Sequence, residues 1–273
     1  MRISVIGGTG LVGAKLVATL RHRGHEVIVG SRRCGVDTMT GEGLKQAITG
    51  SRVVIDVTNS PTWDDDSALE FFETSGRNLL AVEEAARVRH HIVLSVVGTD
   101  RLLESAYFKA KMVQEELVRR SPIPHTILRS TQFFDFLRRI PEPHLDDNAV
   151  RVSRAFVQPI AADEVAAAIA DLAQGEPRNY MIEHAGPEAF HLDEIVRQVM
   201  EAAGDRRAVI ADSRARYFGA ELSDDSLTPD EGAIIGVMRF DEWLKQHAST
   251  LRAEGPRIVT SAKRQSPPEQ LSH

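Results

Sequence analysis

Cysteine is almost missing from this chain: Cys34 is the only one in 273 residues, so no disulfide can form within it and a multi-cysteine metal centre is excluded. Aromatic residues make up 5% of the sequence, and basic residues are not in excess. A formal net charge of -6 gives no electrostatic footprint for nucleic acid or an anionic lipid surface. No apolar run approaches the length of a membrane span, and Met1-Arg2-Ile3-Ser4-Val5-Ile6 has neither the charged nor the long apolar region of a secretion signal. No internal repeat is present. These absences predict a cytoplasmic chain whose partner is a small molecule, with no nucleic acid, membrane or metal in its function, and they leave the oligomeric state open. The rest is ordinary for a globular protein, 42% hydrophobic and 26% charged, long enough for a large α/β domain or a core with a smaller lobe.

Apolar runs of strand length alternate with helical patterns through the first half, which predicts βαβ units and a parallel sheet. Strands are expected near Ile3–Ile6, Glu26–Val29, Val53–Val57, Ile92–Ser95 and Thr126–Leu128. Helices are expected near Leu11–Arg23, Gly43–Ala47, Ser67–Arg87 and Arg101–Arg120. Only about twenty residues separate the second strand from the third, so that unit should be abbreviated. The predicted fold is a Rossmann-type doubly wound parallel sheet with a small C-terminal substrate lobe. The core would occupy 1–130, the lobe 131–262, partly interleaved with the core, and 263–273 would be a disordered tail. Later helices are expected near Asp163–Ala173 and Leu192–Ala203.

Gly7-Gly8-Thr9-Gly10-Leu11-Val12-Gly13 follows the first strand directly and opens the first helix. A G-x-x-G-x-x-G turn in that setting brings backbone N–H groups and a helix N-terminus against a pyrophosphate. Gly7 would make the tight turn, Gly10 the close approach and Gly13 the packing of helix on strand. Thr9, Leu11 and Val12 complete the expected dinucleotide contacts. The second strand ends in Gly30-Ser31-Arg32-Arg33 rather than in an acidic residue. Two guanidiniums and a hydroxyl suit a 2′-phosphate, so NADP(H) is favoured over NAD(H), although a solvated arginine pair would read the same way.

Tyr107 and Lys111 stand four residues apart beside the apolar stripe Ala106, Ala110, Val113 and Leu117. An ammonium in that position can lower a phenol's pKa and make it a proton donor to a substrate oxyanion. Ser95, at the end of the preceding strand, could bond the same carbonyl oxygen. The alternative is structural: Tyr107 packs at the helix edge and Lys111 pairs with Glu115. Gln132, Phe133, Phe134 and the nearby Phe136 could wall a substrate pocket, although phenylalanines at a strand end are core as often. His90 and His91 are adjacent on a strand and so point to opposite faces, which disfavours a shared metal ion. Asp64-Asp65-Asp66 is read as a helix N-terminal cap rather than a cation site.

The glycine loop, Thr74-Ser75-Gly76-Arg77-Asn78-Leu79-Leu80, Leu94-Ser95-Val96-Val97-Gly98, Tyr107-x-x-x-Lys111 and Thr126 to Phe134 together resemble the atypical short-chain dehydrogenase/reductases, in particular their NmrA-like, NAD(P)-binding branch. The resemblance covers most of the chain to about Gly204. It implies that Ser95, Tyr107 and Lys111 form a catalytic set with Lys111 also touching the nicotinamide ribose, that Asn59 and Ser60 lie on the adenosine side, and that Leu128 to Phe134 runs past the nicotinamide. Glu73 departs from the pattern, standing where the main branch has an asparagine. Some NmrA-like members bind NADP(H) without turnover. Two functions are therefore expected: an NADPH-dependent reductase of a small carbonyl or quinone, and a non-catalytic NADP(H)-binding redox sensor or regulator. A nucleotide-sugar epimerase ranks third, since that work needs a larger substrate lobe.

Overall fold

The computed structural model describes residues 1–61, 65–140 and 149–254. The tail expected over 263–273 and Asp64 of the expected Asp64-Asp65-Asp66 cap lie outside the described residues.

Seven parallel strands form one sheet, and their burial explains their composition. β1 (Arg2–Ile6), β2 (Glu26–Gly30), β3 (Val53–Asp56), β4 (His90–Val96) and β5 (His125–Ser130) are runs of Val, Ile and Leu with few exposed positions, as strands covered on both faces require. Helix α1 (Leu11–His22) lies on one face, where Leu16 and Leu20 are fully buried. On the other face lie α2 (Leu44–Ile48), α3 (Asp65–Ala85) and α4 (Ala106–Arg120), anchored through Leu44, Ile48, Leu79 and Val118. The unit between β2 and β3 is abbreviated: it holds one short turn at Arg32–Cys34 and the five residues of α2.

After Ser130 the chain does two things. It makes β6 (Ala149–Val152) and β7 (Phe156–Val157), then lays α5 (Ala162–Gln174) beside α1 and adds β8 (Met181–Ala185) to the sheet next to β5. It then forms β9 (Phe190–His191), α6 (Leu192–Ala202), β10 (Ala208–Ala211), the edge strand β11 (Ile234–Ile235) and α7 (Phe240–Glu254). The sheet order is β11-β8-β5-β4-β3-β1-β2. β6 pairs with β10 and β7 with β9 as two small sheets, and a second core gathers around Leu137, Ile195, Val196, Val199, Tyr217 and Trp243. Residues after 130 thus both extend the sheet and build a separate core.

Because the chain runs from β1 outward to β2 and then back to β3 on the other side, loops at the carboxyl ends of β1 and β3 diverge and leave a crevice there. The Val57 N–H donates to Ile6 O at 2.9 Å and closes the floor of that crevice.

Most boundaries shift by one or two residues, and one shifts by five. The helix predicted from Arg101 begins at Ala106, with Ser105 at the N-cap position. Gly98, at φ +91°, turns the chain instead, and the Arg101 and Leu102 amides both donate to Gly98 O. Arg101 serves elsewhere: its guanidinium donates to the carbonyls of Asp225 and Thr228 and pairs with Asp230 at 2.8 Å, tying β4 to the C-terminal lobe.

Candidate active site

The crevice opens into a cavity of about 930 Å³, a size suited to a dinucleotide with a small substrate beside it. At its floor, the Gly7 N–H donates to Gly30 O at 2.8 Å and Gly7 turns at φ +84°. A Cβ there would come within 2.7 Å of the Val57 backbone. A Cβ on Gly13 would overlap Gly7 O and lie 2.7 Å from Gly8 Cα. These two glycines let the loop and α1 touch. Gly10 differs, since its Cβ would meet only Gly7 O, at 3.3 Å, and it lines the cavity. As the N-cap of α1 it offers no side chain to the first-turn amides, and that turn carries no acidic residue. The uncapped amides and the positive end of the helix dipole are left for an anion.

Gly7, Thr9, Gly10, Leu11, Val12, Ser31, Arg32, Arg33, Asn59, Ser95, Tyr107, Lys111, Gln132 and Phe133 all line this one cavity. The structure thus brings fourteen of the residues singled out from sequence to a single wall system. Three others lie behind it. Gly13 is buried in the first turn of α1, Ser60 is 6% exposed, and Phe134 is 1% exposed with its ring 5.5 Å from Phe240 and 5.3 Å from Trp243. Phe134 is therefore core of the C-terminal lobe rather than pocket wall, and Phe136, whose ring stacks 5.8 Å from Phe218, takes the pocket position.

At the outer end, Arg32 and Arg33 are exposed and neither forms an ion pair among the described residues. The buried oxygens of Ser31, Thr58 and Thr131, all on lining residues, have no hydrogen-bond partner among the described residues. Buried hydroxyls without partners are costly unless a ligand completes them, so they fit a polar dinucleotide. Among the described residues no group of three or more His, Cys, Asp or Glu side chains is placed to hold a metal ion. His91 donates from Nδ1 to Glu83 at 2.9 Å and His90 bonds Thr126 at 2.9 Å, so the two rings part as their strand positions dictate.

The catalytic constellation is arranged differently from the expected one. The Tyr107 hydroxyl donates to Asn59 Oδ1 at 3.1 Å, which brings Asn59, expected on the adenosine side, to the phenol. The ring is packed among Phe72, Phe108 and Phe218, with centroids 6.0, 5.7 and 6.2 Å away. Burial there raises the phenol above its ordinary value, with the Asn59 bond opposing, so the expected lowering by Lys111 is not what the fold produces. Lys111 turns inward instead, donating to Leu94 O at 2.8 Å and to Gln114 Oε1. Nor does it pair with Glu115. That carboxylate accepts from Arg129 at 2.8 and 2.9 Å and from Arg119 at 2.6 Å, and Arg129 also reaches Asp100 at 2.8 Å.

Ser95 belongs to this buried ion cluster: its hydroxyl donates to Glu115 Oε1 at 2.6 Å. Burial works to raise Glu115, but Arg129 and Ser95 hold it below its ordinary value. The serine is thus engaged with the helix rather than free for a substrate oxygen. Ser95→Ala is expected to lower unfolding free energy by about 1.5–3 kcal/mol, the worth of a hydrogen bond to a charged group, with NADPH affinity unchanged. Urea unfolding and calorimetric titration check the two halves.

Sequence reasoning missed Asp56, Gln114, Arg129, Tyr217 and Phe218. The first three carried faint signals, a charge ending or interrupting an apolar strand and a Gln three residues after Lys111. Tyr217 and Phe218 sit in an irregular segment with no periodicity, and their place at the cavity comes from the C-terminal lobe.

A family model described as NAD(P)H-binding matches residues 7–176. The chain belongs to that NAD(P)H-binding family. Among curated proteins, it is 23% identical over 207 residues to the photosystem II assembly factor Ycf39 of Cyanophora paradoxa, an alignment covering 70% of this chain and 63% of that one. The chain therefore spans less than two thirds of that relative's length. Among solved structures it resembles the UDP-glucose 4-epimerase of Thermus thermophilus in complex with NAD, at TM-score 0.66 and 18% identity over 92% of this chain and 99% of the other. It also resembles the dTDP-4-dehydrorhamnose reductase of Bacillus anthracis in complex with NADP, at TM-score 0.61 and 13% identity over 92% and 97%. At these identities the family protein shares the fold of the epimerases and reductases. No described helix is long and apolar enough to cross a membrane.

Proposed function

We propose that this chain is an NADPH-dependent reductase of a small carbonyl or quinone, working in the cytoplasm as a binder of small molecules. The observation that carries the reading is one cavity lined by both the α1 phosphate loop and the Tyr107 phenol. When bound, the nicotinamide supplies a hydride to the substrate carbon. Tyr107 stays protonated throughout the working pH range and would pass its proton to the substrate oxygen as that oxygen displaces Asn59 from the hydroxyl. The α1 amides would hold the pyrophosphate, and Lys111 would hold the ribose. Phe136, Tyr217 and Phe218 wall the space around the phenol. Phe218 does so from the left-handed region, at φ +49°, a costly conformation for a bulky residue and one found preferentially at functional sites. Flat rings of this kind accommodate a planar conjugated carbonyl and exclude water from the proton transfer. Incubation with NADPH and a panel of quinones and aldehydes, followed by nicotinamide absorbance, tests the reading. No oxidation across the panel despite tight NADPH binding rules it out.

The preference for NADP(H) rests on Ser31, Arg32 and Arg33. NADPH is expected to bind more tightly than NADH, and Arg32→Asp to weaken NADPH about ten- to hundredfold, the effect of losing one charge-assisted contact. Equal affinities for the two nucleotides in a calorimetric titration would sink the assignment.

A second reading is favoured by the occupation of Ser95 by Glu115 and of Lys111 by Gln114, which leaves the expected triad incomplete. On that reading the chain is a non-catalytic NADP(H)-binding sensor or regulator, and its likeness to an assembly factor supports a role in binding a partner.

A further inference from the structure

At the cavity wall, Lys111 is held by the Leu94 carbonyl and by two groups outside the motifs that carry the resemblance, Gln114 and the Phe72 ring. It is 3% exposed, and its ammonium lies 4.6 Å from the centroid of the Phe72 ring as well as bonding Leu94 O and Gln114 Oε1. Gln114 is 1% exposed, and its Nε2 donates to Asp56 Oδ2 at 2.8 Å. An ammonium only donates and a carboxylate only accepts, so the amide oxygen must face Lys111 and the amide nitrogen Asp56. The other oxygen of Asp56 accepts from the Thr58 N–H at 2.9 Å. No cation pairs directly with Asp56 among the described residues, and the bonded path from its carboxylate to a positive charge runs through Gln114 to Lys111.

We infer that Gln114 and Asp56 are positioning residues for Lys111: the amide transmits the aspartate's charge to the buried ammonium, keeps it protonated and fixes its direction at the cofactor's ribose. The inference rests on the reading that Lys111 serves the cofactor.

Two other arrangements fail to explain the network. Glu115 is one turn along the same helix, but its charge is already met by Arg129 and Arg119, so it has little left for Lys111. Glu83 of α3 and His91 of β4 also feel Asp56, yet they are bonded to each other at 2.9 Å. The Phe72 ring contributes only its quadrupole, and Tyr107 on the same helix is neutral. That leaves Asp56 as the uncommitted counter-charge. Burial draws Lys111 down to about 8, with Asp56 and then Glu115 opposing. Without Asp56 the amine form would be reached at lower pH. An ammonium has three donors, and Leu94 O and Gln114 take two, leaving one for a ligand in the cavity that Lys111 lines.

The test titrates Lys111 in the full chain without nucleotide, by NMR of 13Cε-labelled lysine, with Lys111→Arg assigning its signal among the six lysines. The midpoint is expected near 8 in the unaltered protein. Asp56→Asn and Gln114→Leu should lower it by about one pH unit, roughly a tenfold smaller ratio of ammonium to amine at a given pH. Gln114→Glu, which sets a carboxylate against the ammonium, should raise it. A midpoint unmoved by Asp56→Asn and Gln114→Glu overturns the inference; a merely structural role would lower unfolding temperature without moving midpoints in opposite directions. NADPH affinity, measured by calorimetry over the same pH range, should fall as pH rises through each variant's own midpoint. If midpoints move as stated and affinity does not follow, the positioning role is supported and the assignment of Lys111 to the cofactor is the part that fails.

Discussion

Replacing Gly10 with Val is expected to abolish NADPH binding, a loss of at least about a hundredfold or roughly 2.7 kcal/mol, while the protein remains folded. The expectation depends on the three loop glycines being unequal. Gly7 is at φ +84° against the Val57 backbone, and Gly13 is pressed on Gly7 O, so a side chain at either disrupts the loop whether or not a ligand is present. Gly10 has φ -79° and ψ -177°, a conformation open to any residue, and its Cβ would meet one oxygen at 3.3 Å. The valine methyls would therefore occupy the cavity at the head of α1, where the pyrophosphate must reach the first-turn amides. Losing glycine at the N-cap costs about 1 kcal/mol or less of stability. Circular dichroism and thermal unfolding report the fold, and calorimetry reports the binding. Retained affinity in a folded Gly10→Val protein would place the nucleotide away from this loop, whereas Gly13→Val is expected not to fold.

How much is legible in the sequence follows from how local each signal is. The strand, glycine loop and helix at residues 2–22 are contiguous, and each constrains the next, so the amino-acid order alone locates the crevice. The parallel sheet follows from the same logic, since apolar strands alternating with helices have few other ways to bury both faces. Tyr107 and Lys111 are legible as a pair because i,i+4 spacing fixes a shared helical face. Their chemistry is not. Whether Lys111 reaches the phenol or turns to Gln114 depends on Asp56, fifty-five positions earlier in the chain, and on a strand carbonyl at Leu94. Likewise Ser95 alone reads as a hydroxyl at a strand end, and only the burial of Arg129 beside Glu115 shows why that hydroxyl is drawn into the ion cluster. Phe134 and Phe136 sit two residues apart, but the 3-10 turn at Phe134–Arg139 sends one to the core and the other to the cavity. Long-range partners decide each of these points, and no window of sequence contains them.

Tyr107→Phe is expected to lower turnover by about 10²- to 10⁴-fold, equivalent to roughly 3–5.5 kcal/mol in the barrier, with NADPH affinity little changed. The substitution removes one atom whose only hydrogen bond among the described residues goes to Asn59 Oδ1, and Asn59 is exposed and can find water instead. The ring stays where Phe72, Phe108 and Phe218 hold it, so packing is preserved and stability should move by about 1 kcal/mol or less. A purely structural tyrosine would then leave the rate intact, which makes the effect decisive in either direction. The phenol acts only as negative charge develops on the substrate oxygen, so its loss should reduce kcat and kcat/KM together rather than raise KM. Tyr217 supplies the internal control. Its hydroxyl is buried without a partner among the described residues, burial raises it in the same sense, and it lines the same cavity. If Tyr107→Phe turns over at the normal rate and Tyr217→Phe does not, the proton comes from the C-terminal lobe, and the catalytic acid has been assigned to the wrong one of two neighbouring phenols.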